Sequence, residues 1–367
     1  MMPQLSLFFF SADSADSPGN KYQMLLETAK FADEHGFTAV WTPERHFQRF
    51  GGLYGSPSVT GAALAVTTKH ISIRAGSVVF PLQNPLRVAE EWSMIDNLSN
   101  GRVAIAAASG WHANDFVLSP TTYQNRHEDM FQKIAIVQRL WRGEKVSLPN
   151  GTGVETEVNI LPTPIQPALP IWLTGQSDDT FVNAGKFGFN VLTANFALHH
   201  NVKSFMRKAK LYRDAIQANH GRRGHITLMA HTFVGEDEES ITRIARPAMA
   251  EYIRVNMEMQ KDHSVSTKDE QGALRKTSWV NPEISTLSQQ DSDAIVEAQV
   301  HNNLHSPLSF IGTADHCAQQ AERLTEIGVD EIACLIDFGI GFDDAMASLR
   351  RLSRLPVQHS RISAIAS

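Results

Sequence analysis

Short apolar runs alternate with longer amphipathic stretches along most of the chain, and that alternation predicts strands and helices in turn. Residues 5–10 read as a first strand, followed by a helix over 21–35 that Gly36 ends and a strand over 38–41. A small-residue helix over 58–68 leads to a strand over 71–80, and a helix over 87–98 turns at Asn100 and Gly101 into a strand over 102–108. The clearest amphipathic helix spans 127–141, where Met130, Ile134, Val137 and Trp141 recur at three- and four-residue spacing. Further strands are expected over 171–174, 189–193, 226–234 and 331–337, with helices over 180–186, 202–218 and 315–327.

These eight strand candidates, nearly all separated by helices, imply a mostly parallel sheet with right-handed crossovers. The α/β pattern fits a closed (β/α)8 TIM barrel better than an open doubly wound sheet, because no G-x-G-x-x-G or Walker-type loop follows the first strand. Two stretches break the rhythm. Residues 143–169 carry Pro149, Pro162, Pro164 and Pro167 and read as a hairpin or extended crossing. Residues 257–309 are polar and fall between the seventh strand and the helix before the eighth. A long irregular segment in a βα loop lies on the active face, so 257–309 is expected to be a lid inserted in one domain spanning 1–367.

Composition narrows the partners. Of 367 residues, 42% are hydrophobic and 20% charged, enough to bury a large core. The formal net charge of -6 argues against nucleic acid or an anionic membrane, which need a concentrated basic face. Cys317 and Cys334 lack the spacing of a disulfide framework or zinc site, which points to a reducing compartment. The opening apolar run has no basic start and is too short for a signal core or a membrane span, so the protein is expected to be cytoplasmic.

In a barrel, catalytic groups gather where strands end. The second strand ends in Trp41-Thr42-Pro43-Glu44-Arg45-His46-Phe47, which reads as a Glu–Arg ion pair with a satisfied histidine or as a reactive cluster. In the third, Gly76 and Ser77 suit either the close approach of a flat ring or a tightly packed strand. The fourth ends in Ala106-Ala107-Ala108-Ser109-Gly110-Trp111-His112, offering space, a hydroxyl, an aromatic wall and a proton donor. After the fifth, Gln176, Ser177 and Thr180 open a helix whose free N–H groups would bind a phosphate, or which Ser177 or Asp178 would simply cap. No H-E-x-x-H, clustered Cys/His set or G-x-S-x-G elbow is present, so neither a metal nor a serine nucleophile is expected.

Taken in order from Leu5 to about Leu352, these segments resemble the bacterial-luciferase-like flavin monooxygenases. The resemblance is carried by Trp41 through Phe47, Gly76 through Pro81, Asn84 through Glu91, and Ile95 through Arg102. Within it, Pro43-Glu44-Arg45-His46-Phe47, Glu90-Glu91-Trp92 and Ser109 through Phe116 look like a narrower branch tied to natural-product biosynthesis, often within peptide or polyketide assembly lines. The resemblance implies a dimeric barrel that takes reduced FMN from a separate flavin reductase and uses O2 to hydroxylate an intermediate, free or bound to a carrier protein. It places the flavin ring at the mouth against strands three and four, around Gly76, Ser77 and Ala108, with Asp337 near it and a cis peptide at Gly76–Ser77. It puts Ser109 where the family has a phosphate-binding arginine, so the phosphate grip is expected to differ. It sets the phosphate against Gln176, Ser177 and Thr180, with apolar walls from Phe8, Phe10, Trp41 and Trp111. Glu44, His46 and His112 are its proton-transfer candidates. The luciferase histidine after the glutamate is Arg45 here, which stabilises an anion but cannot act as a base, so light-yielding chemistry is not expected. The alternatives are hydride transfer to a deazaflavin and a noncatalytic flavin-binding partner subunit.

Overall fold

The computed structural model describes residues 3–11, 20–119, 121, 123–194, 202–261, 266–268, 274–276, 287–306 and 308–355. In chain order its main elements begin with β1 (Gln4–Phe8), α1 (Gln23–Glu34), β2 (Ala39–Thr42), α2 (Pro57–Thr67), β3 (Ser72–Val79), α3 (Pro85–Ser99), β4 (Val103–Ala108) and α4 (Arg126–Trp141). A short pair, β5 (Val146–Pro149) and β6 (Glu155–Val158), precedes β7 (Ile171–Thr174), α5 (Asp178–Phe187), β8 (Asn190–Ala194), α6 (Val202–His220), β9 (Ile226–Val234) and α7 (Glu238–Lys261). Then come β10 (Ser266–Lys268), β11 (Leu274–Lys276), α8 (Gln289–His305), β12 (Phe310–Gly312), α9 (Ala314–Glu326), β13 (Glu331–Leu335) and α10 (Phe342–Leu352).

Strands β1, β2, β3, β4, β7, β8, β9 and β13 pair in that order, all parallel, and β13 returns to β1. That closure is the expected barrel. The period-two alternation of each strand divides its side chains between two cores. On β1, Leu5 and Leu7 join the layer under the helices, whereas Phe8 joins the interior with Trp41, Ala104, Ala106, Trp172 and Leu335. The alanines of β4 make room for the large rings opposite, Trp41 and Trp172, which meet edge-on at 5.4 Å.

The helix ends follow from local chemistry. Asn84 caps α3 by accepting the Leu86 N–H at 2.9 Å, Pro85 sets the first turn, and Asn100 ends the helix at φ 56°. The block 95–102, among the most specific in the sequence, works as a staple. Asp96 accepts the Ile165 and Gln166 N–H groups at 2.6 and 2.9 Å, and Arg102 donates to the carbonyls of Ile71, Ala65 and Thr68.

Several expected boundaries shift. β1 ends at Phe8 rather than residue 10, and β13 ends at Leu335 rather than residue 337, so Phe10 and Asp337 belong to the loops of the mouth. Residues 143–169 contain the antiparallel β5–β6 hairpin, as expected. The 257–309 stretch is not irregular throughout. It takes in the end of α7, the antiparallel β10–β11 pair and the whole of α8. Helix α7 went unpredicted because Pro247 interrupts its pattern, yet Ile241, Ala245, Met249, Tyr252 and Met259 line one buried face. Helix α8, capped by Ser288, packs against it and buries only Ser292, Val296 and Val300 within the helix, too sparse a stripe to read from sequence.

Candidate active site

The segment leaving β2 brings Glu44, Arg45 and His46 to the barrel mouth. Glu44 is buried and its carboxylate is fully engaged. One oxygen accepts the Val79 N–H at 2.7 Å, and the other accepts Gln83 Nε2 at 2.5 Å and His46 Nε2 at 3.0 Å. Glu44 therefore ties the end of β3 to the loop after β2 and holds the His46 ring. The exposed Phe47 follows at φ 58°, a left-handed conformation rare for a bulky side chain.

Arg45 lies inside the mouth, 4% exposed. Its guanidinium carbon sits 4.7 Å from the Trp111 ring centroid and 5.9 Å from that of Phe10, and Nη2 reaches Met259 Sδ on α7 at 3.2 Å. Its charge partner, the buried Asp115, stands at 4.0 Å, too far for a hydrogen bond. Burial lowers the Arg45 pKa, a shift that Asp115 and Tyr252 oppose. Burial also pushes the Asp115 carboxyl up to about 6 against the opposing pull of Arg45 and His46. His112, buried beside Trp111, places Nδ1 3.7 Å from Asp115.

The structure thus brings Glu44, Arg45, His46, Trp111 and His112 into one cluster and adds Asp115. That carboxylate falls within the quoted Ser109–Phe116 motif, but its role was visible only once β2 and the loop after β4 were brought together.

The remaining candidates lie around this cluster. Asp337 accepts the Phe10 and Ser11 N–H groups at 2.8 and 2.9 Å and the Tyr54 hydroxyl at 3.2 Å. Burial pushes its carboxyl up to about 6 despite these bonds. The Gly76–Ser77 peptide is cis, as expected. A Cβ on Gly76 would come within 2.8 Å of the Phe8 ring and 3.2 Å of Trp41 Cβ, so at this position glycine admits the protein's own side chains. Ser77 Oγ meets Thr174 Oγ1 at 2.7 Å, linking β3 to the end of β7. Two residues beyond Gly175, Ser177 caps α5 by accepting the Thr180 N–H at 3.1 Å, its Oγ lies 2.9 Å from Thr180 Oγ1, and the Gln176 carbonyl accepts Lys208 Nζ at 2.6 Å. Ala108 and Ser109 are half-buried and Trp111 exposed.

Under the mouth lies a second polar cluster that sequence reasoning missed. Glu331, fully buried at the start of β13, accepts Ser6 Oγ at 2.5 Å, Trp41 Nε1 at 3.1 Å, Arg74 Nη1 at 2.9 Å and His225 Nε2 at 3.0 Å. Arg74 is clasped between Trp41 and Trp172, 4.9 and 4.6 Å from their centroids. Burial raises the Glu331 pKa, but Arg74, His225 and Ser6 outweigh it and hold the carboxyl far below the usual range. Trp41, expected as a wall for the flavin, is fully buried and its indole N–H is committed here. Among the described residues, no group of three or more His, Cys, Asp or Glu could hold a metal ion, and no helix is long and apolar enough to cross a membrane.

A closed parallel (β/α)8 barrel with a buried arginine, histidines and aromatic faces at the C-terminal mouth defines a barrel enzyme whose chemistry sits in its βα loops. The model of the luciferase-like monooxygenase family matches residues 2–331, and the chain belongs to that family. It is 26% identical to the oxygenase component of a flavin-dependent trigonelline monooxygenase from Acinetobacter baylyi, over 99% of each chain. It is also 27% identical to an F420-dependent hydroxymycolic acid dehydrogenase from Mycobacterium tuberculosis, over 45% of this chain and 47% of the relative. Among solved structures, a monooxygenase from Streptomyces bottropensis superposes with a TM-score of 0.75 at 20% identity, covering 96% of this chain and 98% of the other. The oxygenating constituent of 3,6-diketocamphane monooxygenase from Pseudomonas putida, a type II Baeyer–Villiger monooxygenase in complex with FMN, gives 0.71 at 16% identity, covering 96% and 97%.

Proposed function

We propose that this chain is the oxygenase component of a two-component, FMN-dependent monooxygenase. On this reading a separate flavin reductase delivers reduced FMN, and a natural-product intermediate, free or carrier-bound, is hydroxylated at the mouth. The observation that carries the reading is Arg45, a guanidinium buried between aromatic faces at the mouth of a barrel of this family. A cation fixed in a low-dielectric site favours an anion bound or developing beside it without reorganising during reaction. Bound reduced FMN would supply the electrons that let one oxygen atom of O2 pass to the substrate and the other leave as water.

The donor set suits such a group. Ser77, Ala108, Ser109 and Asp337 border the region proposed for the ring, and the α5 N-terminus with Ser177, Thr180 and Gln176 is the proposed phosphate end. His46, oriented by Glu44, and His112 are the proposed proton carriers. Phe8, Phe10 and Trp111 would exclude water. The 257–309 stretch is proposed as the lid, supported by Met259, near the end of α7, resting on Arg45; residues 262–265, 269–273, 277–286 and 307 of that stretch lie outside the described residues. Exposed Val59 and Val66 on α2, beside exposed Met94 and Leu98 on the adjacent α3, support a homodimer.

The test is anaerobic titration with reduced FMN, oxidised FMN and reduced F420, followed by reductase-coupled turnover under 18O2. The proposal expects tight binding of reduced FMN and one labelled atom in the product. Selective binding of F420 would choose hydride transfer instead, the reading favoured by the F420-dependent relative. Reduced FMN bound without O2 uptake would indicate a noncatalytic subunit.

A further inference from the structure

Three buried polar atoms at the mouth have no hydrogen-bond partner among the described residues: Arg45 Nε, Asp115 Oδ1 and the Tyr252 hydroxyl. Native proteins leave few such atoms, because each has given up its water. These residues are 4%, 3% and 6% exposed, so solvent does not make good the loss.

They share one neighbourhood. Arg45 and Asp115 stand 4.0 Å apart. Tyr252 and Met259 are seven residues apart on the buried face of α7, and Met259 Sδ touches the Arg45 guanidinium. A chain of rings closes the circle: Tyr252 lies 4.9 Å from Phe50, Phe50 lies 5.1 Å from Phe10, and Phe10 flanks Arg45. The Tyr252 phenol and the Arg45 guanidinium also interact electrostatically. Two unpaired donors, one of them charged, thus stand among the aromatic walls of Phe10, Phe50 and Trp111.

Resting on the oxygenase reading, we infer that this part of the mouth grips the carboxylate of a free organic acid, with Arg45 pairing its charge and the Tyr252 hydroxyl donating a second hydrogen bond. A carboxylate is planar, anionic and accepts hydrogen bonds only, which is what a buried guanidinium with an idle N–H matches. An acyl or aminoacyl group held on a carrier as a thioester has lost that carboxylate and offers no charge to Arg45. The inference therefore selects the free acid over the carrier-bound substrate.

Asp115 sets a condition on binding. Its carboxyl faces Arg45, Glu44 and His46 from the β2 segment and His112 from its own loop. A second carboxylate on Arg45 disfavours a charged Asp115, so the acid is taken up together with a proton.

The test measures binding of acetate, hexanoate and benzoate, each against its amide, by calorimetry on the intact protein with and without FMN. At least one acid should bind well ahead of its amide. Arg45→Met should weaken that acid roughly 30-fold, Arg45→Lys should restore part of it, and Tyr252→Phe should cost about fivefold. The inference is overturned if amides match acids in all three pairs, or if the preference survives in Arg45→Met. It is equally overturned if Arg45→Met loses reduced FMN while acid binding is unchanged, since the guanidinium would then serve the flavin. In the unmodified protein, absence of any acid preference with FMN binding intact refutes this inference alone; acid preference with no FMN binding refutes the oxygenase reading alone.

Discussion

The floor and the mouth of the barrel each bury an arginine against aromatic rings near a carboxylate, yet the two clusters differ in what is left over. At the floor, Arg74 donates to Glu331 at 2.9 Å, and Ser6, Trp41 and His225 take up the rest of that carboxylate. At the mouth, Arg45 stands 4.0 Å from Asp115, and both retain unpaired atoms. A satisfied buried ion pair holds strands together, and breaking it strands a charge. An unsatisfied one holds nothing that apolar side chains would not hold as well, and its idle atoms are explained by a ligand. The pKa directions follow the same division. The Glu331 carboxyl is held far down, while those of Asp115 and Asp337 are pushed up to about 6.

The sharpest way to break the comparison is at the floor. Glu331→Gln leaves Arg74 buried without its counter-charge and should cost about 3–5 kcal/mol in chemical denaturation. Next is the response to pH. A carboxyl with a raised folded pKa binds its proton more tightly when folded, so Asp115 and Asp337 should add stability as pH falls from about 6 towards 4. Glu331 has the opposite sign, its contribution being complete above an unfolded value of about 4.3 and lost as pH falls below it. Unfolding curves should therefore show a maximum near pH 5, and Glu331→Gln should flatten the acid limb only. A monotonic fall in stability from pH 7 to 5 would remove the claim for the mouth carboxyls.

A third effect concerns ligand rather than stability. Acid affinity should drop roughly tenfold from pH 6 to 8, as the proton that Asp115 must hold becomes scarcer, and Asp115→Asn should abolish that slope. The smallest effect is at α5. Ser177→Ala removes the cap on the Thr180 N–H and should cost about 1 kcal/mol. If the phosphate sits there, reduced FMN should also bind several-fold more weakly, whereas capping alone leaves its affinity unchanged.

Much of the barrel was legible because its strands keep short apolar runs and most of its helices, α7 and α8 aside, their own period. The mouth was half legible. Glu44, Arg45 and His46 are adjacent in sequence and directly follow an apolar strand, so their joint placement at a strand end could be read. Tyr252 could not be read, because it lies in a helix that Pro247 disguises and meets Phe50 and the Arg45 region only through the fold. The floor was hidden for a related reason. Ser6, Arg74, His225 and Glu331 are isolated polar residues in or beside four strands, and only closure of the barrel brings them together.

The central claim is that the floor arginine serves the fold and the mouth arginine serves a ligand. Thermal unfolding of Arg74→Met and Arg45→Met, side by side at pH 7, tests it most directly. The account predicts a fall of roughly 4–6 °C for Arg74→Met and a change within about 1–2 °C for Arg45→Met, whose apolar replacement leaves no satisfied pair broken. Equal losses in the two variants would contradict it, because the mouth arginine would then be as structural as the floor.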